Sequence, residues 1–287
     1  MNNLIRLVDE GLDKLLPIKK PNELFESMRY TVLLDGKRLR PILCLEICNC
    51  LGGNYEKALP VACAIEMLHA QTLIHDDLPC MDNDDFRRGK PTNHKVFGEA
   101  TAVLAGDALI SWGAQAILKN TNTLDANIRL EILDDYLTAA GANGVIAGQV
   151  IDIQMEGNTE AHSIDNLEFI HAHKTGDLFR LAIISGAKIA GAKVEDLEIL
   201  ENFATSFGLA FQIADDILDV VSDFETMGKT LGKDERVKKL TYVSMYGIDN
   251  AKCKLTCLLN ECDDIIEKYN SEIIREILQG IRKRVGI

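Results

Sequence analysis

The sequence predicts an all-α protein, on three observations. Ala, Leu and Ile dominate its apolar residues while aromatics make up only 6%, a composition that favours helix over strand. All six prolines fall at or before Pro91, so nothing beyond that point forbids long helices. Apolar residues recur three and four apart, most clearly as Leu197, Leu200, Ala204, Phe207, Phe211, Ala214 and Leu218, the stripe of a helix that faces a core.

Taken in order, helical patterns cover 2–16, 22–35 and 38–51, the last closed by the turn signal Gly52-Gly53, and then 56–78. After Gly89-Lys90-Pro91, a second turn signal, they resume at 98–119, 125–156, 164–191 and 195–222. A third signal from Gly228 to Gly232 precedes 236–247 and 250–285, the last breaking near Asn270. No Pro/Gly/Ser-rich tract, low-complexity segment or like-charge block serves as a linker. With 287 residues, 47% of them hydrophobic, the expectation is one all-α domain over 1–287 with about ten helices.

The net charge of −13 excludes a general nucleic-acid binder, which needs a basic face for phosphates. A small anion remains open as a ligand, because cations can cluster locally and metals can bridge. The expectation is no apolar run of about 18 residues, hence no membrane span. Met1-Asn2-Asn3-Leu4-Ile5-Arg6 shows no signal-peptide hydrophobic region, and a cytoplasmic location is expected. None of the eight cysteines forms a C-x-x-C pair. They are read as small buried hydrophobes in a reduced compartment.

Two aspartate clusters carry the chemistry. Gln212, Asp215, Asp216 and Asp219 are spaced i, i+3, i+4, i+7, one helix face. Their flanks, Phe211, Ile213, Ala214, Ile217, Leu218, Val220 and Val221, are apolar almost all round, so these acids need partners. In the first cluster His69, Leu73, Asp76 and Asp77 share a face, whereas Asp82 falls off it. Pro79 interrupts the helix, so the chain can loop and bring Asp82 back. Carboxylates this close repel unless a cation lies between them, and hard oxygen ligands on facing helices suit Mg²⁺ together with substrate phosphates. Arg87, Arg88 and Lys90 follow directly, and arginine's fork pairs with two phosphate oxygens. Gly36-Lys37-Arg38-Leu39-Arg40-Pro41 adds three cations without an acid, which suggests a second anion site that uses no metal. The tail Arg282-Lys283-Arg284 reads as a solvated end, with a lid over the site as the alternative.

With these residues in hand, the chain resembles the bacterial trans-isoprenyl diphosphate synthases of the farnesyl and geranylgeranyl type. The likeness runs from Gly36-Lys37-Arg38-Leu39-Arg40-Pro41 to Lys239-Leu240-Thr241-Tyr242. His75 to Asp85 with Arg87-Arg88-Gly89-Lys90-Pro91-Thr92 looks like the first aspartate-rich motif, and Phe211 to Asp219 like the second. Gly148-Gln149-Val150-Ile151-Asp152 and Lys174-Thr175-Gly176 also match.

The resemblance implies the isoprenoid synthase fold, a bundle of mostly antiparallel helices around a central cavity, usually a homodimer. It implies catalytic roles for Asp76, Asp77, Asp82, Arg87, Lys174, Asp215 and Asp216. Asp76, Asp82 and Asp215 would ligate three Mg²⁺ ions, with Mn²⁺ as a substitute. Arg87, Lys174, Thr175, Gln212 and Lys229 would hold the allylic diphosphate, dimethylallyl or geranyl. Gly36, Lys37, Arg40, His69 and Arg88 would bind isopentenyl diphosphate. Gln71 and Thr72, a turn before Asp76, would set product length. Farnesyl-forming relatives commonly carry an aromatic where Gln71 stands. The product expected is farnesyl diphosphate, with geranylgeranyl diphosphate as the alternative. A terpene cyclase would leave Lys37, Arg40 and Arg88 without purpose. A silent regulatory subunit would be expected to lose an aspartate motif. A ferritin-like di-iron bundle needs two Glu-x-x-His pairs, and Glu66-Met67-Leu68-His69 is the one match found.

Overall fold

The computed structural model describes residues 1–221 and 239–287. Helices α1 (Asn2–Leu15), α2 (Asn22–Val32), α3 (Leu39–Cys50) and α4 (Tyr55–Asp76) open the bundle. A two-stranded ribbon follows, β1 (Phe86–Arg87) antiparallel to β2 (Lys90–Pro91). Then come α5 (Asn93–Phe97), α6 (Glu99–Asn120), α7 (Ala126–Ala140) and α8 (Val145–Met155). Helix α9 (Ile164–Ile170) runs through a π-helical segment, His171–Gly176, into α10 (Asp177–Ala190). The long α11 (Val194–Val221), α12 (Tyr242–Tyr246), α13 (Ile248–Glu267) and α14 (Glu272–Val285) complete it.

The core is centred on α4, α3, α10 and α11. From Pro41 to Cys48 every residue of α3 is buried, and α4 is buried from Val61 to Leu68. Helices of that kind are apolar all round because neighbours cover every face. Helix α4 packs on α6 and α3, α10 on α3 and α11, and α11 on α13. Inside the core Phe179 and Phe207 meet edge-on, 5.0 Å between centroids, a geometry that aromatic quadrupoles favour.

Boundaries differ from the sequence expectation where local chemistry intervenes. The pattern over 125–156 is two helices, because Gly141, in extended backbone, stops α7 and Gly144, also non-helical, precedes α8. The break in the final pattern is at Asn270, whose φ of 49° ends the helical run before the Ser271 cap of α14. The ribbon was not expected. Its turn residues Arg88 and Gly89 both have positive φ, 53° and 73°, as a two-residue primed hairpin requires. Of 236–247, only Tyr242–Tyr246 is helix among the described residues.

Two compositional expectations are corrected. Cys44, Cys48, Cys63 and Cys262 are buried, but Cys80, Cys253 and Cys257 are exposed; the two on α13 lie opposite its buried face of Leu255, Leu258, Leu259 and Cys262. Helix α6 is long and apolar enough to cross a membrane by length and composition, with mean hydropathy 1.3. Its buried residues, Ala102, Ala105, Gly106 and Leu109 among them, face the bundle, where α6 packs on α4.

Candidate active site

A cavity of about 980 Å³ opens between the aspartate ends of α4 and α11. Asp76, Asp82, Asp215, Asp216 and Asp219 line it, so both clusters meet on one space. The loop expected after Pro79 returns Asp82 to the first cluster: its backbone N–H donates to the Asp76 carbonyl at 2.8 Å. Burial pushes the Asp76 carboxyl above its ordinary range; Lys174 counters this, and Asp82 adds to it. A carboxyl whose neighbours raise its pKa is one that a cation would relieve. Among the described residues no three His, Cys, Asp or Glu side chains converge tightly enough to hold a metal alone.

Asp77 does not reach the cavity. It is buried behind the wall and grips Arg87, with Nε at 2.8 and 2.9 Å from its two oxygens and Nη2 at 2.5 Å from Oδ1. Burial works against the charge of Arg87, but the Asp77 carboxylate, joined by Asp76 and Asp84, outweighs it and holds the guanidinium above its usual pKa. Asp77 thus meets the cavity through Arg87, which does line it. Asp216 is similarly committed: its oxygens accept Gln212 Nε2 at 2.9 Å and the Tyr242 N–H at 2.7 Å, and His171 Nε2 lies 3.6 Å away.

On the opposite wall, Lys174 donates to Asp152 at 2.5 Å, and Thr175 Oγ1 donates to Gln212 Oε1 at 2.5 Å. Lys239 also reaches Asp152, at 3.2 Å. Burial opposes the charge of Asp152, but the two lysines outweigh it and lower its pKa. Asp152 and Lys239 belonged to recognised motifs without a role assigned from sequence. Their signal was the spacing of an acid on α8 from a lysine two elements later, which only the fold makes adjacent. Lys229 lies outside the described residues.

The basic cluster divides. Arg38 is buried and structural: it bonds Glu66 at 2.8 Å, Asp9 at 2.8 Å and the Leu34 carbonyl at 2.9 Å. These contacts hold it in a left-handed conformation, φ 49°, at the cap of α3, a strain that surrounding bonds must offset. With Glu66 so engaged, no di-iron Glu-x-x-His site remains at this pair. Lys37 and Arg40 line the cavity with Arg88. Arg40 lies 4.3 Å over the Phe179 ring, and its buried Nε has no partner among the described residues. Burial, helped by Arg88, pushes Arg40 down to about 10 despite Glu66. Gly36 does not line the cavity. It supplies space, since a Cβ there would lie 2.7 Å from Arg88 Nη1. Burial and the surrounding arginines hold His69 well below its usual pKa, so the ring is neutral. Arg284, expected in a solvated end, also lines the cavity and joins burial in lowering the Lys37 pKa. Arg282 turns away to Asp263 at 2.7 Å.

One turn before Asp76 stand the two residues expected to set product length. Gln71 is buried and lines the cavity, its Nε2 donating to His75 Nδ1 at 3.0 Å. The His75 Nε2 then faces the Val103 carbonyl at 3.1 Å, so a polar chain ties α4 to α6. Thr72 also lines the cavity, its hydroxyl turned back to the His69 carbonyl at 2.8 Å. Val103, Ile146, Val150 and Ile153 make the wall apolar here. The cavity lining therefore combines charged side chains with apolar ones.

Residues 21–279 match the family described as polyprenyl synthetase. A geranylgeranyl diphosphate synthase of Cyanophora paradoxa is 42% identical over 93% of this chain and 89% of its own length. The crystal structure of an FPP/GFPP synthase from Zymomonas mobilis superposes with a TM-score of 0.83, 33% identical, covering 96% of each chain. A geranyltransferase from Helicobacter pylori, solved with magnesium and isoprenyl diphosphate, superposes with a TM-score of 0.83 at 32% identity, over 99% of this chain and 94% of its own.

Proposed function

The chain belongs to the polyprenyl synthetase family and is a trans-prenyltransferase, and from that premise we propose that it joins isopentenyl diphosphate head-to-tail to dimethylallyl and geranyl diphosphate, releasing farnesyl diphosphate. The observation that carries this reading is two unlike anion sites on one cavity. One mixes carboxylates with Lys174 and Arg87; the other gathers Lys37, Arg40 and Arg88 around the unpartnered Arg40 Nε. A reaction between two diphosphates needs both.

Asp76, Asp82 and Asp215 are the proposed ligands for three Mg²⁺ ions, with Mn²⁺ as a substitute, which when bound supply positive charge to the departing diphosphate. Arg87 and Lys174 hold oxygens of that group, and Thr175 and Gln212, bonded to each other, fix its position. Lys229 joins them by resemblance. As the allylic C–O bond breaks, negative charge grows on the oxygen these cations face. Lys37, Arg40 and Arg88 hold isopentenyl diphosphate so that its double bond points at the allylic carbon. Neutral His69 adds a hydrogen bond there without further charge. The proton lost afterwards passes to the diphosphate oxygen still in place. The apolar wall keeps water from the cation.

Product length is assigned to the floor. Gln71, held by His75, blocks the deeper space, and each further isoprene unit would have to bury five carbons, roughly 4 kcal/mol at about 0.8 per carbon. A second reading, geranylgeranyl diphosphate, is favoured by the activity named for the Cyanophora relative. Incubation with Mg²⁺, isopentenyl diphosphate and dimethylallyl diphosphate, with the product identified by mass, decides between them. A C15 product supports the first reading and C20 the second. No turnover, with geranyl and farnesyl primers also inert, overturns both.

All 287 residues are proposed to act as one domain, in a cytoplasmic homodimer. Leu104, Leu118, Leu130 and Leu137, on α6 and α7, are all exposed, an apolar surface that a second copy would cover. Light scattering on the eluting protein tests this; a monomer would refute it.

A further inference from the structure

The π-helical segment His171–Gly176 carries Lys174 and Thr175, and it is wider than an α-helix because its hydrogen bonds span five residues instead of four. A wider turn has to be accommodated by its neighbours, and here both neighbours withdraw their side chains. On α8, a Cβ at Gly148 would lie 2.3 Å from the Lys174 backbone nitrogen, 2.8 Å from its Cα and 2.9 Å from the His173 carbonyl carbon. On α11, a Cβ at Gly208 would lie 3.0 Å from the Gly176 Cα. The atoms met are backbone, which has no rotamer to swing away.

Neither glycine has a positive φ. Their lack of a side chain is therefore explained by approach and not by turn geometry. In the middle of a helix glycine costs about 0.5–1 kcal/mol relative to alanine, and two helices carry that cost opposite the same segment. Each glycine also lies one turn from a residue that finishes the site. Asp152, four residues after Gly148, receives Lys174; Gln212, four after Gly208, receives the Thr175 hydroxyl. The same two helices thus seat the backbone of the π turn and catch the side chains it presents.

We propose that Gly148 and Gly208 are positioning residues of the prenyl transfer: by letting the π turn seat against α8 and α11, they set where Lys174 Nζ and Thr175 Oγ1 stand for the allylic diphosphate. The proposal rests on the prenyltransfer reading. Neither glycine touches substrate. Each acts through the segment, Gly148 where it meets the Lys174 backbone.

The test is a double-mutant cycle on the full-length enzyme with Mg²⁺. Gly148→Ala is expected to lower kcat/KM for the allylic diphosphate by about ten- to a hundredfold, leaving KM for isopentenyl diphosphate within about twofold, since that site lies on other elements. In a Lys174→Ala background the same substitution is expected to change kcat/KM by less than about twofold. A merely structural role would give the full loss in both backgrounds and would move both KM values together. Either result overturns the proposal, as does a Gly148→Ala enzyme with unchanged kinetics. Should Gly148→Ala not fold, Gly208→Ala serves, because its 3.0 Å contact asks for a shift of only a few tenths of an ångström. Its cycle is run against Thr175→Val, with the same two outcomes. Wild-type turnover is measured first: if absent, the prenyltransfer reading fails; if present with additive cycles, only the positioning role fails.

Discussion

Asp216 accepts the backbone N–H of Tyr242 at 2.7 Å, so an acid of the second aspartate motif anchors the chain that follows it. Its other oxygen accepts Gln212 Nε2 at 2.9 Å, and Gln212 in turn receives the Thr175 hydroxyl. Asp216 therefore joins α11, α12 and the π turn at one buried point. A carboxylate accepts on both oxygens, whereas an amide accepts on one and donates on the other. Asp216→Asn should place two donors face to face on one side, costing about 1–3 kcal/mol of stability. It should also lower kcat/KM for the allylic diphosphate at least as much as Gln212→Ala does. Urea melts and steady-state kinetics check both. A variant as stable and active as wild type would show that the hub does not matter.

Asp77 and Arg87 make the same argument for the first motif. The substitution Asp77→Asn leaves the shape of the contact but removes the charge that holds a buried guanidinium. Breaking one side of a buried ion pair costs about 3–5 kcal/mol, and Arg87 retains some solvent contact, 21%, so the lower part of that range or less is expected. If Asp77 only aims Arg87, Asp77→Asn and Arg87→Gln should each impair turnover, and the double variant should be no worse than Arg87→Gln. An additive double variant would return Asp77 to the reacting centre.

Much of this was legible in the sequence because periodicity reports faces. The i, i+3, i+4, i+7 spacing of Gln212, Asp215, Asp216 and Asp219 placed them on one side of α11, and all four line the cavity. The return of Asp82 followed from Pro79. Spacing does not report partners distant in the chain. Nothing local separates Asp77, which faces Arg87, from Asp76, which faces the cavity. Nothing local marks Arg38 as buried and Arg40 as available, since the difference is the presence of Glu66 on α4. Asp152 and Lys239 escaped assignment for the same reason. The π turn escaped because its residues also fit an α-helical pattern, and its width shows only against the two glycines that admit it.

Magnesium binding should weaken with acid earlier than ordinary carboxylates would allow. Burial raises the Asp76 pKa above its usual value, so as pH falls this carboxyl takes up a proton before an exposed one does. The metal requires the deprotonated form and must then displace that proton. The sign for the metal-free protein is opposite: a raised carboxyl holds its proton more tightly when folded, so its contribution to stability declines as pH rises through that range. Mg²⁺ with inorganic diphosphate should therefore raise Tm more at about pH 7.5 than at about pH 5. An equal shift at both would mean that Asp76 does not hold the metal.

The Arg38–Glu66 pair is expected to matter for stability more than for catalysis. Both side chains are almost wholly buried, 2% and 3% exposed, so neither can turn to water when the other is removed. Glu66→Ala should lose about 3–5 kcal/mol in denaturant unfolding. Loss of the αL cap at Arg38 would then loosen the start of α3 and with it Lys37 and Arg40. KM for isopentenyl diphosphate should consequently rise while KM for the allylic substrate holds. A loss below about 1 kcal/mol would place the pair among those that are nearly neutral to stability.

Gln71 gives the most direct reading of the cavity's depth. Its amide is fixed by His75, which is fixed in turn by the Val103 carbonyl and by Gly106, where a Cβ would lie 2.0 Å from His75 Nε2. The proposed floor is thus a hydrogen-bonded polar layer from α4 to α6. Gln71→Ala removes it and leaves His75 with an unused acceptor, so longer products should accumulate, C20 from an enzyme that stops at C15. Gln71→Tyr puts an aromatic at the same level and should shorten the product or leave it at fifteen carbons. The rates for the first condensation should change little in either variant, because the short primer does not reach this depth. Product mass distributions from both variants check the argument. Longer products from Gln71→Tyr would mean that the tail grows along another wall, past Ile146 and Val150, and that Gln71 is not its floor.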